Sequence, residues 1–183
     1  MSINVTIVNT ANRMRRFAQS DETRILEVLE TLRRSAQLFT ARTLILSSDT
    51  ETEIFSPASI TRIEIATQRD ISSYLPQHGE TWMAAIDISA EQRPTRVEKN
   101  YFAGRVDCYF EGGDMLASWI EGPLPAGVNE RLMIFTLLFD QPFLMYSLPQ
   151  GGIGLANPKA MTRVLINAPA EQLPVGAWRL NPV

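Results

Sequence analysis

A chain of 183 residues with 45% hydrophobic and 20% charged side chains has the length and balance of one globular domain. Its formal net charge of −3 argues against nucleic-acid binding as the main activity, since that activity usually requires a strongly basic domain. A single cysteine, Cys108, excludes an internal disulfide, and a single histidine, His78, excludes metal sites that need two histidines.

The sequence predicts a cytoplasmic protein that does not enter a membrane. Residues 1–6 contain no basic segment followed by an apolar one, as a signal peptide would. The longest apolar run, 132–139, is far shorter than the roughly 18 residues expected of a membrane-spanning helix.

The N-terminal part of the chain is predicted to hold a strand and then a helix. Residues 3–8 alternate in a pattern typical of a strand (β1, about 3–8). Ser20 is the predicted N-cap of a helix over about 21–37, because acidic residues follow it and arginines close the far end. The apolar positions of this helix form one stripe, which predicts that it packs on a sheet: Ile25, Leu29, Leu32 and Ala36.

The rest of the chain, about 40–183, is predicted to be rich in strands. Alternating or apolar runs bounded by turn residues indicate strands at 43–47, 52–55, 60–65, 82–88, 131–139 and 143–148. For 131–139 the alternative is a helix from Asn129, which Ile134, Phe135 and Thr136 disfavour. The polar segment 89–100 is predicted to be a long exposed loop or a covering segment. Asn157 followed by proline predicts a short helix over 159–165.

Residues 102–121 are predicted to form a hairpin with a two-residue turn at Gly112-Gly113, because both glycines adopt positive φ without steric cost. This turn sets the inward-facing pairs Phe110–Met115, Cys108–Ala117 and Val106–Trp119. We therefore predict one α+β domain over 1–183. It has a largely antiparallel, curled or barrel-like sheet with one N-terminal amphipathic helix packed on it.

No catalytic, metal-binding or cofactor-binding residue is predicted. The string 151–157 resembles a phosphate loop only in part, since a third glycine and a βαβ unit are absent. A nucleophile pair of Cys108 and His78 is formally available, but the hairpin places Cys108 among apolar side chains, where packing is the expected role. Glu111 and Asp114 are too few carboxylates for a metal site.

Two groups of residues are predicted to bind something. Arg13, Arg15 and Arg16 belong to a basic segment in which seven arginines and four acids precede Thr43, and they are predicted to contact an acidic partner. A curved sheet could instead enclose a small molecule in its interior, with a polar lining of Tyr101, Arg105, Asp107 and Tyr109.

The sequence favours a non-enzymatic protein-interaction or assembly module, such as an adaptor, chaperone or structural subunit. Its partner would be another protein or a second copy of the chain, because exposed strand edges invite pairing. The alternative is a small-molecule-binding protein or enzyme that uses the sheet interior. A weaker alternative is phosphate or nucleic-acid contact through the N-terminal arginines.

Overall fold

The computed structural model describes residues 2–40, 43–48, 50–76, 83–87, 95–98, 101–123 and 135–167, together with 178 and 180. These residues form twelve strands and one α-helix. Ten of the strands make one sheet, and the other two, β3 and β4, form a separate ribbon.

The elements have the following bounds. The strands are β1 (Ile3–Asn9), β2 (Met14–Gln19), β3 (Leu44–Ser47), β4 (Thr52–Phe55), β5 (Ile60–Ala66), β6 (Met83–Ala85), β7 (Arg96–Glu98), β8 (Tyr101–Phe110), β9 (Met115–Pro123), β10 (Leu144–Ser147), β11 (Gly152–Ala156) and β12 (Met161–Ile166). The helix α1 spans Glu22–Leu32, between β2 and β3.

The large sheet is mixed and open. Its strand order is β12-β8-β9-β6-β10-β11-β5-β1-β2, with β7 also paired to β8. The β6–β10 pair is parallel, and the other pairs that the structure describes are antiparallel. The prediction of a β-rich body with one helix is confirmed. Closure into a barrel is wrong, because β12 and β2 end the order without pairing to each other in the described ranges.

The sheet nevertheless folds back on itself. The turn between β8 and β9 reaches β5, where Asp114 bonds Arg62, although three strands separate β9 from β5 in the sheet order. We call the face enclosed by this curl the inner face and the opposite one the outer face. Residues paired directly across neighbouring strands share a face, so the strand registers assign each side chain to one of them.

An apolar cluster covers each face. On the outer face, α1 packs Ile25, Leu29 and Leu32 against isoleucines of β1 and β5. On the inner face, a second cluster gathers buried side chains of the later strands, including Val106, Cys108, Phe110, Leu116, Leu144 and Tyr146. Burial of apolar area on both sides of one sheet is the main term that stabilises the fold.

The prediction of an N-terminal helix over 21–37 is wrong. Two strands precede α1, and it ends at Leu32, with a separate 3-10 turn at Ser35–Gln37. Its N-cap is Asp21 rather than Ser20, since the Asp21 carboxylate accepts the Arg24 N–H at 3.0 Å. The segment before it forms β2, an edge strand whose mostly exposed side chains hide the alternation that marks half-buried strands.

The predicted hairpin exists, but its register is shifted by one residue. Phe110 N–H donates to Asp114 O at 2.9 Å, so the turn contains the three residues Glu111–Gly113 instead of two. Cys108 therefore stands opposite Leu116, and Val106 opposite Ser118. The shift turns Leu116 and Ser118 inward and sends Met115 and Trp119 to the outer face, because a slip of one residue exchanges the faces of a strand.

Three other predictions in the second half of the chain are wrong. The predicted helix over 159–165 is strand β12, preceded by one 3-10 turn. The described part of the predicted strand 131–139 is helical, and the predicted loop 89–100 contains β7. The strands predicted at 3–8, 43–47, 52–55, 60–65 and 143–148 are confirmed. Residues 131–134 and most of the tail lie outside the described ranges.

The observed register makes a test by substitution straightforward. Leu116 is 3% exposed within the inner cluster, so Leu116→Ala should lower the free energy of unfolding by about 2–5 kcal/mol. Met115→Ala, one residue away on the outer face, should cost less than about 1 kcal/mol. Urea unfolding monitored by circular dichroism measures both. A larger loss of unfolding free energy for Met115→Ala than for Leu116→Ala would contradict the observed register and support a two-residue turn.

Candidate functional site

Four polar side chains meet on the inner face where the hairpin turn contacts β5. Arg62 Nε lies 2.7 Å from Asp114 Oδ2, and its Nη2 lies 2.9 Å from Oδ1, a bidentate contact. Arg62 Nη1 donates to Glu64 Oε1 at 2.7 Å, and the Tyr146 hydroxyl donates to the same oxygen at 2.9 Å. We call Arg62, Glu64, Asp114 and Tyr146 the inner network.

Neighbouring backbone and small residues hold the inner network in place. The Thr61 hydroxyl lies 3.0 Å from Val8 O and 3.2 Å from Asp114 Oδ2. The Tyr146 ring lies across Gly154 of β11, where an added Cβ would stand 2.0 Å from the ring. Glycine at this position is therefore required for Tyr146 to reach Glu64 on the far side of β11.

Burial and neighbouring charges keep Arg62 charged and Tyr146 protonated in the inner network. Burial lowers the pKa of Arg62, but the hydrogen bond to Asp114 and the surrounding negative groups outweigh it, so the pKa of Arg62 stands above its ordinary value. Burial raises the pKa of the Tyr146 phenol, which keeps it protonated as a donor to Glu64. Among the described residues, only Ser35 Oγ is a buried polar side-chain atom without a partner. Each of the four side chains of the network is thus bonded to at least one other member.

The four residues predicted to line a ligand site lie on the outer face instead of inside the curl. Tyr101, Arg105, Asp107 and Tyr109 alternate along β8 with the inward-facing residues. Their expected location is therefore wrong, and the reason is that the residues alternating with them fill the interior. A binding role for them stays a prediction.

These outer-face residues are engaged with neighbours. Arg105 Nε donates to Asp107 Oδ1 at 2.8 Å, and this hydrogen bond raises the pKa of Arg105. The Tyr101 hydroxyl bonds Glu121, which raises the pKa of Tyr101. The guanidinium of Arg163 lies 3.9 Å from the centroid of the Tyr109 ring, a cation–π contact.

The glycines in the segment 151–157 allow close packing of strands within the sheet. Gly151 and Gly152 have φ of +92° and +93°, and a Cβ on Gly152 would meet Ile65 O at 2.0 Å. They allow β11 to approach β5 closely. The Asn157 side chain caps only a three-residue turn, which provides no helix N-terminus for a phosphate.

Of the two candidate catalytic side chains, the structure describes only Cys108. Cys108 is fully buried in the inner cluster, and burial raises the pKa of its thiol to about 12. The thiolate that a nucleophile requires is therefore disfavoured near neutral pH. His78 lies outside the described residues, so its role stays untested.

The three N-terminal arginines lie at or beside β2, the last strand of the sheet. Arg15 bonds Glu53 and lies 3.4 Å from Glu51 on the β3–β4 ribbon, and the hydrogen bond to Glu53 raises its pKa. Arg13 and Arg16 are exposed, and the part of the chain that the structure describes gives neither side chain a partner. The sequence thus marked the basic segment but could not separate Arg15 from its neighbours.

Within the described ranges, no three or more His, Cys, Asp or Glu residues are grouped as a metal site would require. No described helix has both the length and the apolar character needed to span a membrane. Comparisons with protein families, with curated proteins and with solved structures give no match to this chain.

The bonding of the inner network predicts that substitution of Asp114 strongly lowers the stability of the fold. The side chains of Asp114 and Arg62 are only 6% and 13% exposed, so Asp114→Asn should lower the free energy of unfolding by about 3–5 kcal/mol by leaving a buried charge poorly compensated. Glu111→Gln, an exposed carboxylate on the same turn, should change it by less than about 0.5 kcal/mol. Chemical unfolding at neutral pH compares the two variants. Equal losses of unfolding free energy would show that the ion pair of Arg62 and Asp114 contributes nothing to stability.

Burial of Cys108 predicts a loss of stability at alkaline pH. Burial raises the pKa of its thiol from 9.0 to about 12, so the unfolded chain releases the thiol proton first as the pH rises. This contribution is complete below pH 9 and should fall by up to about 4 kcal/mol between pH 9 and 12. Cys108→Ala should show a correspondingly shallower decline. Parallel pH profiles of wild type and variant would contradict the assignment.

Proposed function

We propose that the protein is a non-enzymatic interaction module that binds another protein through the edge of its sheet at β2. The observation that carries the proposal is the exposed, unpartnered state of Arg13 and Arg16 among the described residues. The arginines of the inner network and of β8 are bonded to carboxylates. Positive charge left without a partner at a sheet edge is suited to an acidic surface.

Apolar surface near β2 supports the same proposal. Met14 is 48% exposed on β2, and Ile45 and Ile54 are 57% and 67% exposed on the β3–β4 ribbon. Ile45 and Ile54 stand opposite each other, and Arg15 ties the ribbon to β2 through Glu53. Apolar side chains next to arginines are a common composition of protein interfaces.

Small-molecule binding inside the curl receives less support. The inner face carries the inner cluster and the inner network, whose polar atoms bond one another. Contact with phosphate or nucleic acid through the same two arginines is opposed by the net charge of −3.

A double substitution tests the proposal. Arg13→Gln with Arg16→Gln removes two charges that have no partner within the described structure, so stability should stay within about 0.5 kcal/mol of wild type. Binding to proteins captured from an extract of the source cells should fall by about tenfold. The wild-type signal should weaken as salt rises, because exposed charges are screened over about 8 Å at physiological ionic strength.

The control is Arg33→Gln with Arg34→Gln, which makes the same charge change just beyond the end of α1. Because Arg33 also bonds Ser73 O and lies over the Tyr74 ring, the stability of this variant is measured alongside its binding. Capture is measured by quantitative mass spectrometry with immobilised full-length chain. Capture of the same proteins in equal amounts by both double variants and by wild type would refute binding at β2.

A further inference from the structure

The backbone of β2 has an alternating arrangement that defines which groups face away from the sheet. Asn9 N–H donates to Arg13 O at 3.0 Å, and the β1–β2 register continues without a shift. In an antiparallel pair, bonded and non-bonded positions alternate. Arg13, Arg15, Phe17 and Gln19 therefore direct their backbone groups toward β1, and the three residues between them direct theirs outward.

The outward-directed residues are Met14, Arg16 and Ala18. Each is exposed, and no described strand pairs with this edge. Their side chains share the inner-face side of β2, because Met14, Arg16 and Ala18 stand opposite Val8, Thr6 and Asn4. The free edge thus presents backbone donors and acceptors together with an apolar, a cationic and a small side chain.

We infer that the partner contributes an extended acidic segment that adds to β2 as a further strand, an inference that rests on the proposed function. Added strands gain affinity from backbone hydrogen bonds and specificity from alternate side chains. A carboxylate opposite Arg16, with apolar residues two positions away on either side, complements Met14 and Ala18. The recognised pattern is apolar–x–acidic–x–apolar.

A second copy of the chain is a poor occupant of this edge. Antiparallel pairing of β2 with itself, with Met14 opposite Ala18, would place Arg16 of one copy directly opposite Arg16 of the other. Like charges opposite each other on adjacent strands are destabilising, and charged side chains on an edge strand commonly prevent such self-pairing. The arginines therefore oppose self-association while they favour an acidic strand.

A blocked peptide of sequence TVTETVT is the probe, with TVTKTVT as its charge-reversed control. Binding to the full-length chain is measured by isothermal titration calorimetry at low salt. TVTETVT should bind and TVTKTVT should bind at least about tenfold more weakly. Arg16→Glu should reverse this preference, whereas Arg34→Glu, which makes the same charge change beyond α1, should leave it within about twofold.

The backbone contribution is tested separately from charge. Ala18→Pro removes an outward N–H while every bond to β1 is kept, since proline is tolerated on an edge strand where its nitrogen faces away from the neighbour. This variant should bind TVTETVT about tenfold more weakly. If it fails to fold, peptides answer the same question: N-methylation of the glutamate should abolish binding, and N-methylation of the following threonine, which points away from β2, should not.

The outcomes separate the two proposals. If N-methylation of the glutamate has no effect, or if TVTETVT and TVTKTVT bind alike, strand addition is refuted. Cellular partners that still depend on Arg13 and Arg16 would then keep the proposed function intact. If those partners do not depend on the two arginines either, both proposals fail.

Discussion

Arg62 and Asp114 join two parts of one sheet that three intervening strands keep apart in the strand order. Their contact requires the Asp114 carboxylate to point inward at the start of β9, and a three-residue turn meets that requirement. The same turn then fixes which residues of β9 enter the core, with Leu116 inward and Met115 outward. A two-residue turn would exchange the faces of β9. One ion pair and the composition of the inner cluster therefore depend on each other.

This arrangement also determines where the molecule can interact. Arg62, Glu64 and Tyr146 use the centre of the curl for internal bonding, and the outer face near β1 and β5 is covered by α1. On β8 and β9, charged and aromatic side chains bond one another across the outer face. The edge at β2 differs because the side chains of Arg13 and Arg16 and the outward backbone groups have no partner in the described structure. A polar group without a partner is the physical basis for preferring this edge over the interior.

Much of the strand pattern could be predicted from local sequence. Alternation identified β1 and β5, and turn residues between apolar runs identified the β3–β4 ribbon. Two of the missed strands, β2 and β11, escaped prediction for different reasons. β2 is an exposed edge without alternation, and β11 begins with glycines that weaken any strand prediction while they permit close contact with β5. The role of Asp114 could not be predicted, because its partner Arg62 lies 52 positions earlier in the chain. Local sequence patterns do not predict contacts between residues that are so far apart in the chain.

The position of β5 between β1 and β11 has a consequence for synthesis on the ribosome. The strands β1, β2 and β5 can pair as soon as their residues emerge, whereas β11, the second neighbour of β5, begins 86 positions after β5 ends (Ala66 to Gly152). Until then β5 presents a free edge beside the apolar side chains Ile63 and Ile65, a state prone to aggregation. A nascent chain that stalls before Gly152 would hold that edge open, so stalling at this point is expected to favour aggregation.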